Sequence, residues 1–290
     1  MQLAALTRLF SATVFRELCR YGKSRVFARL VDLTDLAAGG GVGVTVGDAF
    51  DLAFEKLKAA GNRDEYIYRS AVAHKILLGT HSLRTASMLN EFRAGSSRAD
   101  LVILNGTATV YEIKSERDSL KRLAAQVENY KRVFAKVNVI ASEAHVQSVM
   151  SEVGNDVGVL CLSRRYQIST EREGSDCPER IQPLTVLDSL RSVEAIEILR
   201  ALGVPVPDVP NTRRNEMLKS KFRDLDPAAL HFEMVRTLKR TRNLAPLSDL
   251  VTKLPISLQA GALATQVRRS DHTRLLSAIE TPLKTAMAWR

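Results

Sequence analysis

Between residues 98 and 130 three charged side chains interrupt sequence that otherwise reads as strand. Asp100 opens "ADLVILN", and Glu112 and Lys114 sit two apart in "TATVYEIKS". Residues two apart on a strand project from one face, so Glu112 and Lys114 point one way while Tyr111 and Ile113 point the other. The Asn105-Gly106 pair between the two apolar runs is a hairpin signal, and it folds Asp100 back against them. Two carboxylates held together repel unless a cation lies between them, and hard oxygen donors of this kind suit Mg²⁺ or Mn²⁺. Such an ion polarises a phosphoryl oxygen and lowers the pKa of a bound water, while Lys114 orients that water or stabilises the developing charge. This is equipment for hydrolysing a phosphodiester.

The elements that must position these residues follow from the apolar spacing. Up to about residue 60 the period is helical, with Val14, Phe15 and Leu18, then Phe27, Leu30 and Val31, then Phe50, Ala53, Phe54 and Leu57. The glycine-rich "AGGGVGVTVGD" lacks the G-K-[ST] ending of a phosphate loop and reads as a linker. "RDEYIYRSAVAHKILLG" reads as a further helix, and then "ASMLNEFRA", "ADLVILN" and "TATVYEIKS" as three strands. A helix capped by Asp118 or Ser115 follows, carrying Leu120, Leu123, Val127, Tyr130 and Phe134, and after it strand "KVNVIAS", helix "EAHVQSVMSEV" and strand "DVGVLCLS". Beyond about residue 172 the pattern is helical again: "LTVLDSLRSVEAIEILRALG" leads to the proline-spaced "VPVPDVPN", and Asp226-Pro227 opens another helix.

The pattern D-(x)11-E-x-K on a hairpin followed by a helix resembles the signature of the PD-(D/E)XK nuclease superfamily. Gln126 and Tyr130, four apart and so on one helical face, resemble the Q-x-x-x-Y of its RecB-like branch. The resemblance spans residues 63 to 165, and the flanking helical regions resemble those of bacterial members found near mobile elements. It implies an α/β, restriction-endonuclease-like, three-layer core, a mixed sheet between helices, with helical N- and C-terminal regions. It also implies Asp100 and Glu112 as metal ligands, Lys114 as the catalytic lysine, and Gln126 and Tyr130 lining the site. The proline of the family signature is Ala99 here, a position that holds no ligand. For the helical glutamate that adds a ligand in this superfamily, Glu65 is the candidate and Glu91 its rival.

Charge points to the same class of partner. The formal net charge is +10, and residues 211 to 290 hold 15 Lys+Arg against 7 Asp+Glu, an excess of +8. An anionic partner is expected, nucleic acid ahead of membrane and DNA favoured, with contacts from Arg98 and from Arg236, Lys239, Arg240 and Arg242 in "RTLKRTR". Arg98 is equally placed to pair with a nearby acid. Cys19, Cys161 and Cys177 are odd in number and form no C-x-x-C pair, and no apolar run is long enough to span a membrane, so a reducing cytoplasm is the expected compartment. The expected organisation is a helical region over 1–62, a nuclease core over 63–172 and a basic helical region over 173–290. The expected activity is that of a metal-dependent nuclease; the rival is a catalytically silent nucleic-acid- or partner-binding protein on the same fold.

Overall fold

The computed structural model describes residues 2–36, 43–265 and 267–289. These form two units. A helical unit is built from the chain up to Gly79, Arg164–Tyr166 and the chain from Leu244, and a sheet unit from Thr80–Ser163 and Gln167–Asn243. The three consecutive regions expected from the sequence are thus redistributed. The helix opening at Glu65 joins the N-terminal helices, and the helices between 173 and 243 join the sheet.

The chain begins in the helical unit with α1 (Gln2–Leu9), α2 (Ala12–Tyr21), α3 (Arg25–Asp32), α4 (Val46–Lys58) and α5 (Glu65–Val72). Ser11, Ser24, Thr45 and Asp64 cap α2 to α5, each accepting a hydrogen bond from a first-turn N–H, and Thr45 with Asp48 completes a capping box. Residues 38–42 of the glycine-rich linker lie outside the described residues. A π-helical turn at Ala73–Leu77 leads from α5 to the short α6 (Leu78–Thr80).

The sheet unit runs β1 (Ser87–Ala94), β2 (Ser97–Asn105), β3 (Thr107–Lys114), α7 (Leu123–Lys131), β4 (Lys136–Ser142), α8 (Val146–Glu152), β5 (Gly158–Leu162) and β6 (Ile168–Arg172). The strands lie in sequence order, with β3, β4 and β5 parallel and the remaining pairs antiparallel. This is an α/β architecture: an open, mixed, six-stranded sheet with helices around it. β4 and β5 are buried almost end to end, as central parallel strands are. The hairpin is tighter than a two-residue turn: Asn105 pairs with Thr107, and Gly106 alone turns the chain at φ +74. β6 is not legible in the sequence, because its central residues Ser169, Thr170 and Glu171 are exposed on an edge strand and carry no apolar alternation.

Two helix boundaries differ from expectation. Asp118 does not cap α7; its carboxylate accepts from the Ser115 N–H at 2.8 Å and hydroxyl at 2.7 Å, closing a turn ahead of a helix that begins at Leu123. The stretch read as one long helix from residue 184 is broken into α9 (Pro183–Leu187) and α10 (Ser192–Ala201). Then come α11 (Asn211–Phe222) and α12 (Pro227–Thr241), the latter capped by Asp226 as the sequence indicates, with Ala229 N–H 2.8 Å from its carboxylate. Ile198, Phe222, Leu230, Met234 and Leu238 from these helices share one core with Val102, Leu104, Val110 and Val139 of the sheet. That burial is why the region belongs with the sheet. The chain returns to the helical unit with α13 (Ser248–Lys253), α14 (Ile256–Ala264), α15 (His272–Glu280) and α16 (Leu283–Ala286). Among the described residues, no helix is long and apolar enough to cross a membrane.

Candidate active site

The sheet face bearing Val102 and Leu104 on β2, and Ala108 and Val110 on β3, is fully buried in the core. Followed at period two along the same face, β2 arrives at Asp100, and β3 at Glu112 and then Lys114. The pairings Leu104↔Ala108 and Val102↔Val110 extend by one step to set Asp100 beside Glu112. On the other flank of β2, Asn90↔Leu101 and Phe92↔Ala99 bracket Glu91 opposite Asp100. An acidic row, Glu91, Asp100 and Glu112, therefore crosses three strands where the apolar face ends. Glu91 holds φ +52, a left-handed backbone unusual within a strand, and its carboxylate comes within 4.8 Å of that of Asp100.

Glu112 and Lys114 are only 1% and 6% exposed, so theirs is a buried ion pair. Lys114 Nζ donates to Glu112 Oε1 at 2.7 Å and to Gln126 Oε1 at 3.0 Å. The Tyr130 hydroxyl lies 2.6 Å from Glu112 Oε2 and 2.8 Å from the Arg98 carbonyl, and Gln126 Nε2 donates to it at 3.4 Å. Burial, and then the Glu112 carboxylate, push the Tyr130 pKa far above its ordinary value, so the phenol stays a donor. Asp100 Oδ2 accepts from the Ile113 N–H at 2.7 Å, tying β2 to β3 just beyond their ladder. The structure thus brings together Asp100, Glu112, Lys114, Gln126 and Tyr130, on β2, β3 and α7.

Glu65, Arg98 and the basic run at the end of α12 are the other expected site residues. Glu65 opens α5 in the helical unit, where it is exposed and ion-paired with Arg69. Arg98 is exposed on β2, directly across from Arg93. In α12 the basic run is largely satisfied internally: Arg236 pairs with Glu233 at 2.9 Å and Arg240 with Glu197 at 2.7 Å, while Lys239 is half-buried. Arg242 grips the buried Glu194 with two hydrogen bonds of 2.8 Å and lies 5.0 Å over the Phe92 ring. Burial pushes the Glu194 carboxyl up, but hydrogen bonds from Arg242, the Arg191 N–H and Thr241, together with the Arg242 charge, hold the group below the usual carboxylate range. Arg242 is thus held in an ion pair within the sheet unit. Exposed cationic side chains also lie on and just beyond α11, at Arg213, Lys219 and Arg223, in the stretch "TRRNEMLKSKFR", whose signal in the sequence is its share of the general basic excess.

The donor set suits a hard divalent cation. Asp100 and Glu91 offer neighbouring carboxylates near solvent, and each Glu112 oxygen retains a lone pair beyond the donor it already accepts.

Comparison with known proteins adds the following. The family described as Bacteriophage P4 protein cII matches residues 58–244, which include the whole sheet unit. Protein cII of Enterobacteria phage P4 is 30% identical over 202 residues, covering 66% of this chain and 74% of that protein. A solved protein of unknown function from Silicibacter pomeroyi aligns over 46% of this chain and 87% of its own, at 19% identity and a TM-score of 0.30.

Proposed function

The chain belongs to the Bacteriophage P4 protein cII family, and we propose that it is a metal-dependent nuclease, with a restriction-endonuclease-like core, that hydrolyses phosphodiester bonds in DNA. The observation that carries this reading is the buried Lys114, held between Glu112 and Gln126 at the end of an acidic row. A lysine desolvated beside a carboxylate and an amide acceptor is a costly arrangement for stability alone, because an apolar pair of similar volume serves a core at least as well. It suits a site that must stabilise negative charge on a phosphate.

Asp100 and Glu112, with Glu91, would hold Mg²⁺ or Mn²⁺. When bound, the ion neutralises phosphate charge and lowers the pKa of a bound water. Lys114 supplies a fixed positive charge for the oxygens that become more negative as the bond breaks. Gln126 sets the direction of that ammonium. Tyr130 acts as a positioning residue, since its hydroxyl holds the second oxygen of Glu112 and ties α7 to β2 through the Arg98 carbonyl.

One observation favours a second reading, a silent binding protein on the same fold: both Glu112 oxygens already accept protein donors. Incubation with labelled single-stranded, duplex and branched DNA and with RNA, in Mg²⁺, Mn²⁺ or EDTA, separates the two. Cleavage that EDTA abolishes and that Lys114→Ala loses supports the nuclease. Binding with no cleavage under any condition replaces it with the silent protein.

A further inference from the structure

We propose that α11 is the surface through which the sheet unit holds the phosphate backbone of a nucleic acid. The α11 helix contains Arg213, Arg214, Lys219 and Lys221, with Arg223 as its C-terminal cap, against one acid within the helix, Glu216. Arg213, Lys219 and Arg223 are exposed, and Arg214 and Lys221 are half-buried. Among the described residues, none of the five is ion-paired with an acid. The neighbouring helix α12 is the contrast, because Arg236, Arg240 and Arg242 all meet acids of the same unit.

Only Leu218 and Phe222 of α11 are buried, so the helix is held by a narrow apolar stripe and presents the rest of its circumference to solvent. Lys219 and Arg223 are also four apart on that solvent side, a like-charge spacing that slightly destabilises a helix. The fold thus retains uncompensated positive charge where its own acids do not meet it. A 12-residue helix is about 18 Å long, a length over which duplex nucleic acid presents about ten phosphate charges. Cations spaced along such a rod match a polyanion better than a single small anion. The choice of nucleic acid among polyanions rests on the nuclease reading; the charge on α11 does not.

The test uses the full chain in EDTA, so that no cleavage intervenes, and follows binding to a labelled duplex oligonucleotide by anisotropy across a series of NaCl concentrations. The triple variant Arg213→Gln/Lys219→Gln/Arg223→Gln is compared with Arg16→Gln/Lys23→Gln/Arg29→Gln, which removes the same charge from exposed positions of α2, α3 and the turn between them. Loss of three phosphate contacts should make the slope of log affinity against log salt shallower by about 2 to 3, while the control triple keeps the wild-type slope. Should the α11 triple melt early, Lys219→Gln and Arg223→Gln alone should each reduce the slope by about 1, and Arg213→Lys/Arg223→Lys should preserve it.

Equal slopes for the two triples, an unchanged slope in the α11 triple, or no duplex binding by the wild type overturns the inference. So does loss of binding to phosphatidylserine vesicles with duplex binding intact, which assigns the helix to anionic lipid. Cleavage is scored separately. A chain that binds as expected but cuts nothing sinks the nuclease and leaves α11 standing; one that cuts with an unaltered slope does the reverse.

Discussion

The Tyr130 hydroxyl sits 2.6 Å from Glu112 Oε2, across from the Lys114 ammonium at 2.7 Å on Oε1, so a helix residue and a strand residue each satisfy one oxygen of the same buried carboxylate. Tyr130→Phe removes one of these donors without opening a cavity. Hydrogen bonds to charged groups contribute roughly 1.5–3 kcal/mol, and urea unfolding should record a loss of that order. Cleavage should fall as well, because Glu112 is then free to turn. A variant as stable as wild type would mean that the hydroxyl contributes nothing net to the fold and does not hold Glu112 in place.

Lys114→Ala should be destabilising as well as inactive. Viewed only as clustered charge, the site suggests that truncation relieves repulsion, but the geometry reverses the sign: Glu112 would remain buried with its main counter-charge gone. Breaking a buried pair from one side costs roughly 3–5 kcal/mol. The double variant Lys114→Met/Glu112→Gln should recover much of that loss while cleavage stays at least about a hundredfold down. Full stability of Lys114→Ala by thermal melting would show that the pair is not buried in solution.

Asp100 has two separable jobs, accepting from the Ile113 N–H and offering an oxygen near that of Glu91. Asp100→Asn keeps an acceptor for the amide and removes the charge, whereas Asp100→Ala removes both. Mn²⁺ titration should show weak or no binding in both variants, and unfolding should show that only Asp100→Ala loses stability, by about 1–3 kcal/mol for the orphaned amide. Mn²⁺ affinity unchanged in Asp100→Asn would dismiss the acidic row as a metal site.

The sequence made the hairpin and its charges legible because period-two alternation states which side chains share a face, and Asp100, Glu112 and Lys114 needed nothing more. Gln126 and Tyr130 were legible through their likeness to the Q-x-x-x-Y pattern, since a four-residue spacing by itself says only that they share a helical face. Glu91 is legible only as the rival of Glu65, and its left-handed backbone in β1 is not announced by composition. Glu65 is the helix-opening acid that the sequence offers, and it does open α5. The ion pair of Arg242 was not legible for a different reason. Its partner Glu194 is 48 residues away, and an ion pair between distant positions leaves no local trace. β6 and the turn joining Ser115 to Asp118 were not legible because each depends on polar residues that obey no apolar period.

Acid should loosen the sheet unit through His231. Its Nε2 lies 3.0 Å from the Thr107 hydroxyl, fixing α12 to the start of β3, and burial lowers its pKa even though Asp176 acts to raise it. Above the unfolded value, about 6.5, both states are neutral and the contact contributes fully. As pH falls from there toward the lowered folded value, the unfolded chain takes up a proton that the native state refuses, and stability is lost. Urea midpoints measured from pH 7.5 to 5 should therefore decline, and His231→Gln should flatten the part of that decline belonging to this histidine. An identical slope in His231→Gln would assign the acid sensitivity elsewhere, for example to His74 of the helical unit, whose pKa burial pushes down to about 4.

Arg242 offers a test of whether a basic residue in this chain serves the fold or a ligand. It donates from two nitrogens to Glu194, which is 2% exposed, and also covers Phe92. Arg242→Met keeps the aliphatic packing on the ring but leaves Glu194 without its guanidinium, and the cost should reach up to roughly 3–5 kcal/mol, reduced by the part of Arg242 that meets water. Glu194→Gln in the same chain should restore part of it, as the uncompensated charge is then gone. Duplex affinity and its salt slope, measured well below the variant's melting temperature, should be unchanged, unlike those of the α11 triple. A salt slope shallower by about 1 with stability intact would return Arg242 to the phosphate-binding surface.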